Sequence, residues 1–429
     1  MVTINNPSFG QWEEIAKRPL IAFHKIEKIV HQVFDEVNKD GDVAIRKFTK
    51  LFDKADIAEF KVSAEEISES IELISDELKS AILFAKNNIR KFHVNQLLEK
   101  DVIETSKGIH CWQEPRPIEK VGFYIPNQKA PLFSTILMLG IPAIEAGCED
   151  IVLCTPPDEN GKIHPAILFT AHLVGITNIY KVGGVQAIAA MSLGTESIEK
   201  VHKIFGPGNQ YVAAAKQFAS SIGTAIDMPT GPSELLVVAD ESARANFVAS
   251  DLLSQLEHGE DSQVICISNS LQKLDEIRVE IDNQLKNTER KEIIKKSLKN
   301  SKLIYFSQIK DEINFINYYA PEHIILNVQN EDIYVNHITN AGTVFLGEYT
   351  PESAGDYATG TNHTLPTNGF AKMYSGISVD SFIKKITFQK ISKEGLRNIG
   401  PVIELMAEAE GLKAHKHAVA VRLNTLFEE

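Results

Sequence analysis

Cysteine is scarce in this chain, with four thiols, Cys111, Cys148, Cys154 and Cys266, and no Cys-x-x-Cys pair in 429 residues. That excludes a disulfide scaffold and a thiolate zinc ribbon. The four positions fall in runs that read as strands or a helix end, which implies reduced, buried thiols in a cytoplasmic protein. Positive charge is also short. With 44 Lys and Arg against 57 Asp and Glu, the net charge of -13 argues against a general binder of nucleic acid or of an anionic membrane. Long apolar runs are missing too. The longest stretch, 130–147, is interrupted by Ser134, Thr135, Gly140, Pro142 and Glu145, so a core helix is expected there and not a membrane span. The opening residues Met1-Val2-Thr3-Ile4-Asn5-Asn6 lack a basic stretch followed by an apolar core, and no secretory signal is expected. What remains is a globular chain whose 43% hydrophobic content and length can build more than one packed core.

Residues 1–118 read as a helical region packing on the core. Ile26, Ile29, Val30, Val33, Phe34 and Val37 keep a helical period that stops at Asp40-Gly41, and Ser63 with Glu66 forms a capping-box signature. From Val102 to Trp112 the pattern is strand-like, with a turn at Ser106-Lys107-Gly108. Residues 119–233 then alternate short apolar runs with helix-length segments: Val121 to Ile125, Ile151 to Cys154, Ile179 to Val182, Lys203 to Phe205, and Ala225 to Ile226. Residues 234–380 repeat the rhythm at Glu234 to Val238, Val264 to Ile267, Leu303 to Phe306, His323 to Leu326, and Thr343 to Leu346. This predicts an α/β chain with two mostly parallel sheets, each covered on both faces. Residues 381–429 read as a helical tail, including Pro401 to Glu410, too small for a core of its own.

Ligands of such sheets bind beyond the carboxyl ends of the strands, which draws attention to Gly183-Gly184 and Gly206-Pro207-Gly208-Asn209. The second lacks the third glycine of a dinucleotide fingerprint, so it is either an ordinary strand-to-helix turn or an atypical nucleotide loop. Four other stretches carry chemistry. In Asp251 to Gly259, Gln255 and His258 are three residues apart on one helix face, suited either to two metal ligands or to a half-buried helix end. Ala320-Pro321-Glu322-His323 suggests a proline-initiated helix whose positive end disfavours protonation of His323; a neutral imidazole suits a general base, with a solvated Glu-His pair as the alternative. Pro351 to Thr367 reads as a long irregular loop in which Asp356 can reach a metal while Asn362 and His363 brace the chain. Finally, Glu410 and His415 offer polar groups in the tail, where a charged surface segment is the alternative and His417 makes the local histidine ambiguous.

In order and approximate spacing, these stretches, together with Met228-Pro229-Thr230-Gly231-Pro232-Ser233-Glu234, resemble the histidinol dehydrogenase family. The resemblance implies two Rossmann-like domains, a cytoplasmic homodimer whose exchanged tails complete each other's sites, and the cofactors Zn2+ and NAD. It implies zinc ligation by Gln255, His258, Asp356 and His415, with His323 as general base and Glu322 activating water. The implied substrate, L-histidinol, contacts Ser233, Gln255, His258, His323, Asp356, Glu410 and His415. Tyr124, Gln186 and Asn209 match the NAD side. The implied reaction is a two-step oxidation to L-histidine through the aldehyde, reducing two NAD.

Where the family has two glycines after Tyr-Ile-Pro, this chain has Asn127-Gln128, which predicts an altered turn beside the cofactor. Two other classes compete. A zinc hydrolase would use Glu322 to activate water at a metal, and a noncatalytic metabolite binder would need the pocket but no base.

Overall fold

The computed structural model describes residues 1–19, 23–97, 100–127 and 130–428. It contains two compact units, one formed by Met1–Gln96 with Ile118–Phe382, the other by Leu97–Pro117 with Ile383–Glu429. The strands are β1 (Val2–Asn5), β2 (Val102–Ser106), β3 (Ile109–Pro117), β4 (Lys120–Tyr124), β5 (Asp150–Thr155), β6 (Asn178–Lys181), β7 (Lys203–Phe205), β8 (Ala225–Ile226), β9 (Glu234–Ala239), β10 (Gln263–Ser268), β11 (Lys302–Tyr305), β12 (His323–Asn327), β13 (Thr343–Leu346) and β14 (Ile383–Ile391).

The larger unit holds two sheets, in the orders β6-β5-β4-β7-β8 and β1-β11-β10-β9-β12-β13. Every pairing in both is parallel. Alternate residues feed opposite core layers, as a period of two requires. In the first sheet Val121, Phe123, Ile151 and Leu153 enter one layer, while Tyr124, Val152, Cys154 and Ile204 enter the other. In the second, Leu235, Val237, Val264 and Ile325 face one way, and Leu236, Val238, Ile265 and Ile324 the other. With both faces buried, such strands become the continuous apolar runs seen in the sequence.

The ten strands expected between 119 and 380 are all present, with ends shifted by no more than a residue or two. Helix Phe23–Asp40 buries Ile26, Val30, Val33, Phe34 and Val37 against the first sheet; Ile29 is exposed. The Ser63–Glu66 capping box starts helix Ala64–Glu72. Cys148, Cys154 and Cys266 are buried and unpaired, and Cys111 is half-buried.

Two expectations need correction. The chain opens on a strand, because Val2–Asn5 pairs with β11 at the edge of the second sheet, so the first residues belong to that sheet and not to a helical region. The segment after Ser381 is not wholly helical either. In the smaller unit β14 pairs antiparallel with β3 over nine residues, Ile383 to Ile391, and β2 flanks β3 on its other side. Two helices follow, Lys393–Ala409 and Lys413–Glu428, joined at Gly411 with φ +75. Pro401 lies inside the first of them rather than at its start.

Candidate active site

The chemistry-bearing residues of the larger unit gather at the amino ends of β9 and β12, not at the carboxyl ends where sheets of this kind usually bind ligands. The two strands are parallel neighbours with His323 opposite Leu235. Ser233 and Glu234 lead into β9 as Glu322 and His323 lead into β12. Helix Ala245–Leu256 runs back from the carboxyl end of β9, so its last turn presents Gln255 beside the same strand ends, with His258 just past it. The stretch from Pro351 is not irregular throughout. Glu352–Tyr357 is a short helix that places Glu352 and Asp356 one turn apart.

No helix begins at Pro321. Ala320 is the left-handed cap, φ 52, that ends helix Ile309–Tyr319, and His323 is the first residue of β12. The expected suppression of His323 protonation is found, but burial is its main cause; the Asp356 carboxylate opposes it, and the pKa falls to about 4. Nδ1 of His323 lies 3.3 Å from the Glu234 carbonyl oxygen, an acceptor only, which assigns the proton to Nδ1. Nε2 has no hydrogen-bond partner and lies 4.0 Å from Asp356 Oδ1. The peptide N–H of Glu234 donates to Glu322 Oε2 at 2.9 Å. One residue's main chain therefore holds both members of the Glu322-His323 pair.

Glu352 Oε1 is 3.5 Å from His323 Nδ1. Among the described residues no lysine or arginine pairs with Glu322, Glu352 or Asp356; their ionic partners are His323 and His363. Burial pushes the Glu322 and Glu352 carboxyls well above the usual carboxylate range, and neighbouring acids push them further. His258 is exposed at the surface, and desolvation by the surrounding protein disfavours its imidazolium.

This cluster fits a divalent cation. Ligand atoms of His323, Glu352 and Asp356 lie within 4.8 Å of one another. The Gln255 amide abuts the Glu352 carboxylate. If its oxygen faces Glu352, two acceptors meet and a cation between them resolves the conflict; if its nitrogen does, it donates to Glu352 and the oxygen accepts from Glu234 N at 2.9 Å. Amide oxygen, imidazole nitrogen and carboxylate together suit zinc, and a bound cation would favour the ionised carboxylates.

His363 and Asn362 brace this region as expected. His363 Nδ1 is 2.9 Å from the Asp356 carbonyl and Nε2 is 3.1 Å from Thr135 Oγ1, while Asn362 Nδ2 donates to the Met138 carbonyl at 2.6 Å. Ser233 is half-buried, and its carbonyl accepts from Gln263 N at 3.2 Å.

The candidate cofactor residues lie at the carboxyl ends of the first sheet. The Tyr124 hydroxyl accepts from Gly184 N at 3.2 Å. Gly206 has φ +126, and a Cβ there would sit 2.1 Å from the Tyr124 carbonyl oxygen. Its N–H donates to Asp227 at 2.9 Å and its C=O accepts from Lys216 at 2.8 Å, so a buried ion pair fixes the loop. Asn209 caps helix Gln210–Ser221 by accepting from Tyr211 N and Val212 N. Gln186 donates to Asp53 at 3.0 Å, and its own oxygen is buried without a partner. Asn127 does not take a positive φ; its side chain donates to the Pro156 carbonyl at 3.1 Å. Gln128 lies outside the described residues.

Glu410 and His415 belong to the smaller unit, Glu410 as the C-cap of Lys393–Ala409 and His415 in the first turn of Lys413–Glu428. Both are exposed. The larger unit therefore brings together Ser233, Gln255, His258, Glu322, His323 and Asp356, and the tail carries the other two candidates. Glu352 and Glu234 went unassigned from sequence. The four-residue spacing of Glu352 and Asp356 would have linked them had the segment been taken as helical, whereas nothing local marks the main chain of Glu234.

The histidinol dehydrogenase family model matches residues 16–423. Histidinol dehydrogenase of Bacteroides thetaiotaomicron is 55% identical over 426 residues, covering 99% of this chain and 100% of the relative. That of Escherichia coli is 46% identical over 428 residues, covering 99% and 98%. The crystal structure of histidinol dehydrogenase from Elizabethkingia anophelis is similar with a TM-score of 0.97 at 56% identity, over 99% of this chain and 98% of that one.

Proposed function

The chain belongs to the histidinol dehydrogenase family, the NAD- and zinc-dependent enzymes of the last step of histidine biosynthesis, and from that premise we propose that the Glu322-His323 pair carries both oxidations of L-histidinol. The observation that carries this reading is the buried His323, with Nδ1 tied to the Glu234 carbonyl and Nε2 unpartnered. A base held by one nitrogen and open at the other is oriented for a proton at a fixed place. His323 Nε2 takes the proton of the substrate alcohol as the carbinol carbon loses hydride, which leaves the aldehyde. Glu322 takes a proton from water as the water oxygen adds to that aldehyde, and the protonated His323 gives its proton back to the former aldehyde oxygen, which leaves the hydrate and a neutral imidazole. His323 then takes one hydroxyl proton of the hydrate as the second hydride leaves, and the resulting acid ionises to the carboxylate of histidine.

Gln255, His258 and Asp356, with His415 from a partner's tail, would hold zinc, leaving His323, whose ring also borders this cluster, free to take the proton. When bound, zinc would supply a positive centre that anchors the substrate, and NAD would accept the hydrides. Ser233 and Glu410 contact the substrate. The sheet of residues 119–233 takes the NAD side through Tyr124, Gln186 and Asn209, and residues 234–380 hold the metal and catalytic groups. The exposed positions of Glu410 and His415 support a homodimer in which residues 381–429 complete a neighbouring site. No helix among the described residues is long and apolar enough to cross a membrane.

The test is His323→Gln. Loss of a general base lowers kcat by on the order of 10²–10⁴. Bound zinc, by elemental analysis, and NAD affinity, by calorimetry, stay at wild-type values. Turnover within a few-fold of wild type would contradict the assignment.

A further inference from the structure

Arg18 lies far from Glu322 and His323 in sequence, yet it is tied to both chain segments that hold them. Its Nε and Nη2 donate to the two carboxylate oxygens of Glu234 at 2.7 and 3.1 Å, and Nη2 also donates to the Tyr319 carbonyl at 2.7 Å. The guanidinium carbon is 3.8 Å from the centre of the Tyr319 ring. The Tyr319 hydroxyl in turn lies 3.2 Å from a Glu234 carboxylate oxygen and 2.9 Å from the Gln263 amide oxygen, and its one proton is shared between them. The ion pair is almost dry, with side-chain exposures of 10% for Arg18 and 1% for Glu234.

Glu234 stands between this network and the reacting pair. Its side chain is gripped by Arg18 and Tyr319, while its N–H holds Glu322 and its C=O holds Nδ1 of His323. Tyr319 is the last residue of its helix, and only Ala320 and Pro321 separate it from Glu322. One guanidinium thus fixes the first residue of β9 and the root of the turn that delivers the pair into β12. A lysine could not do the same, because a single ammonium lacks the rigid fork that reaches a carboxylate and a carbonyl at once.

On the reading of Glu322 and His323 given above, we propose that Arg18 is a positioning residue for both, acting through Glu234 and the 319–323 turn. Without the guanidinium the Glu234 carboxylate is left buried beside the Tyr319 hydroxyl alone, and strand end and turn are no longer held in register. Misplacement of about 1 Å at a reacting group costs on the order of 10²-fold in rate. Neither Glu322 nor His323 is lost, so the defect falls on turnover and not on substrate binding.

The experiment is a double-mutant cycle between Arg18→Gln and His323→Gln on the full-length, zinc-loaded enzyme, with kcat and KM for L-histidinol measured separately. Arg18→Gln alone is expected to lower kcat by on the order of 10²-fold, leaving KM nearly unchanged and zinc at its wild-type content. In the His323→Gln background it should cost far less, because a positioned group that is absent cannot be mispositioned. Arg18→Lys should fall in between. If Arg18→Gln does not fold, Tyr319→Phe, which removes the hydroxyl that Glu234 and Gln263 share, takes its place with a smaller loss of the same pattern. Equal losses with and without His323, or a rise in KM alone, would overturn the proposal and leave Arg18 a purely structural residue. If His323→Gln by itself spared turnover, the assignment of the pair would fall first and this proposal with it; the cycle separates the two failures.

Discussion

Glu312 should make this enzyme lose stability as the pH rises from 5 to 8. It sits on helix Ile309–Tyr319, almost completely buried, with Tyr334 donating to one carboxyl oxygen and the other oxygen unpartnered. Burial pushes its pKa from an ordinary 4.5 up to about 7, against the hydrogen bond from Tyr334. The folded state therefore binds the proton more tightly than the unfolded chain. The stability this confers is complete below the unfolded value and is lost as pH rises through the folded one. A tenfold difference in proton affinity is worth about 1.4 kcal/mol, so the loss between pH 5 and pH 8 is on the order of 2–3 kcal/mol. Glu312→Gln keeps the shape and the Tyr334 contact but cannot ionise. Its stability relative to wild type should therefore improve by about that amount over the same pH range. Trp12 reports on this layer, since its ring packs against Phe315 with centroids 5.5 Å apart. Urea unfolding followed by Trp12 fluorescence in a Trp112→Phe background measures the difference. A wild-type-to-variant difference that is flat from pH 5 to pH 8 would refute the reasoning.

Two further outcomes follow from the geometry. Gly206→Ala forces a Cβ to within 2.1 Å of the Tyr124 carbonyl at φ +126, so the loop must shift; NAD affinity by calorimetry should fall while bound zinc is unchanged, and unchanged NAD affinity would remove this loop from the cofactor site. If His415 acts across a dimer, mixing inactive His323→Gln and His415→Ala variants should restore activity as heterodimers form, since one of the two sites then has all its groups. An inactive mixture in which heterodimers are present would mean that the tail serves its own subunit.

The sheets were legible because parallel strands buried on both faces become uninterrupted apolar runs, and the bounds expected for β4 to β13 differ from those found by no more than a residue or two. What escaped depends on distant partners. Val2–Asn5 stands outside the strand-and-helix rhythm that marked the others and exists as a strand through β11, and Ile383–Ile391 gains its extended form from β3. Glu322 and His323 stood out as a polar pair beside a proline, but the supposed helix was a strand entry, and burial turned out to be what keeps His323 neutral. The placement at the amino ends of β9 and β12 came from the direction in which helix Ala245–Leu256 returns and from the Glu234 main chain, neither of which has a local pattern. Arg18 was invisible for the same reason. The hydrolase and noncatalytic alternatives give way to the full-length family match.

The central claim, a division of labour between Glu322 and His323, is tested most directly by the NADH formed per L-histidinol consumed in wild type and in Glu322→Gln. The account predicts two in the wild type and one in the variant, with histidinal accumulating because water is no longer activated. A variant that still yields two NADH at an undiminished second rate would contradict it.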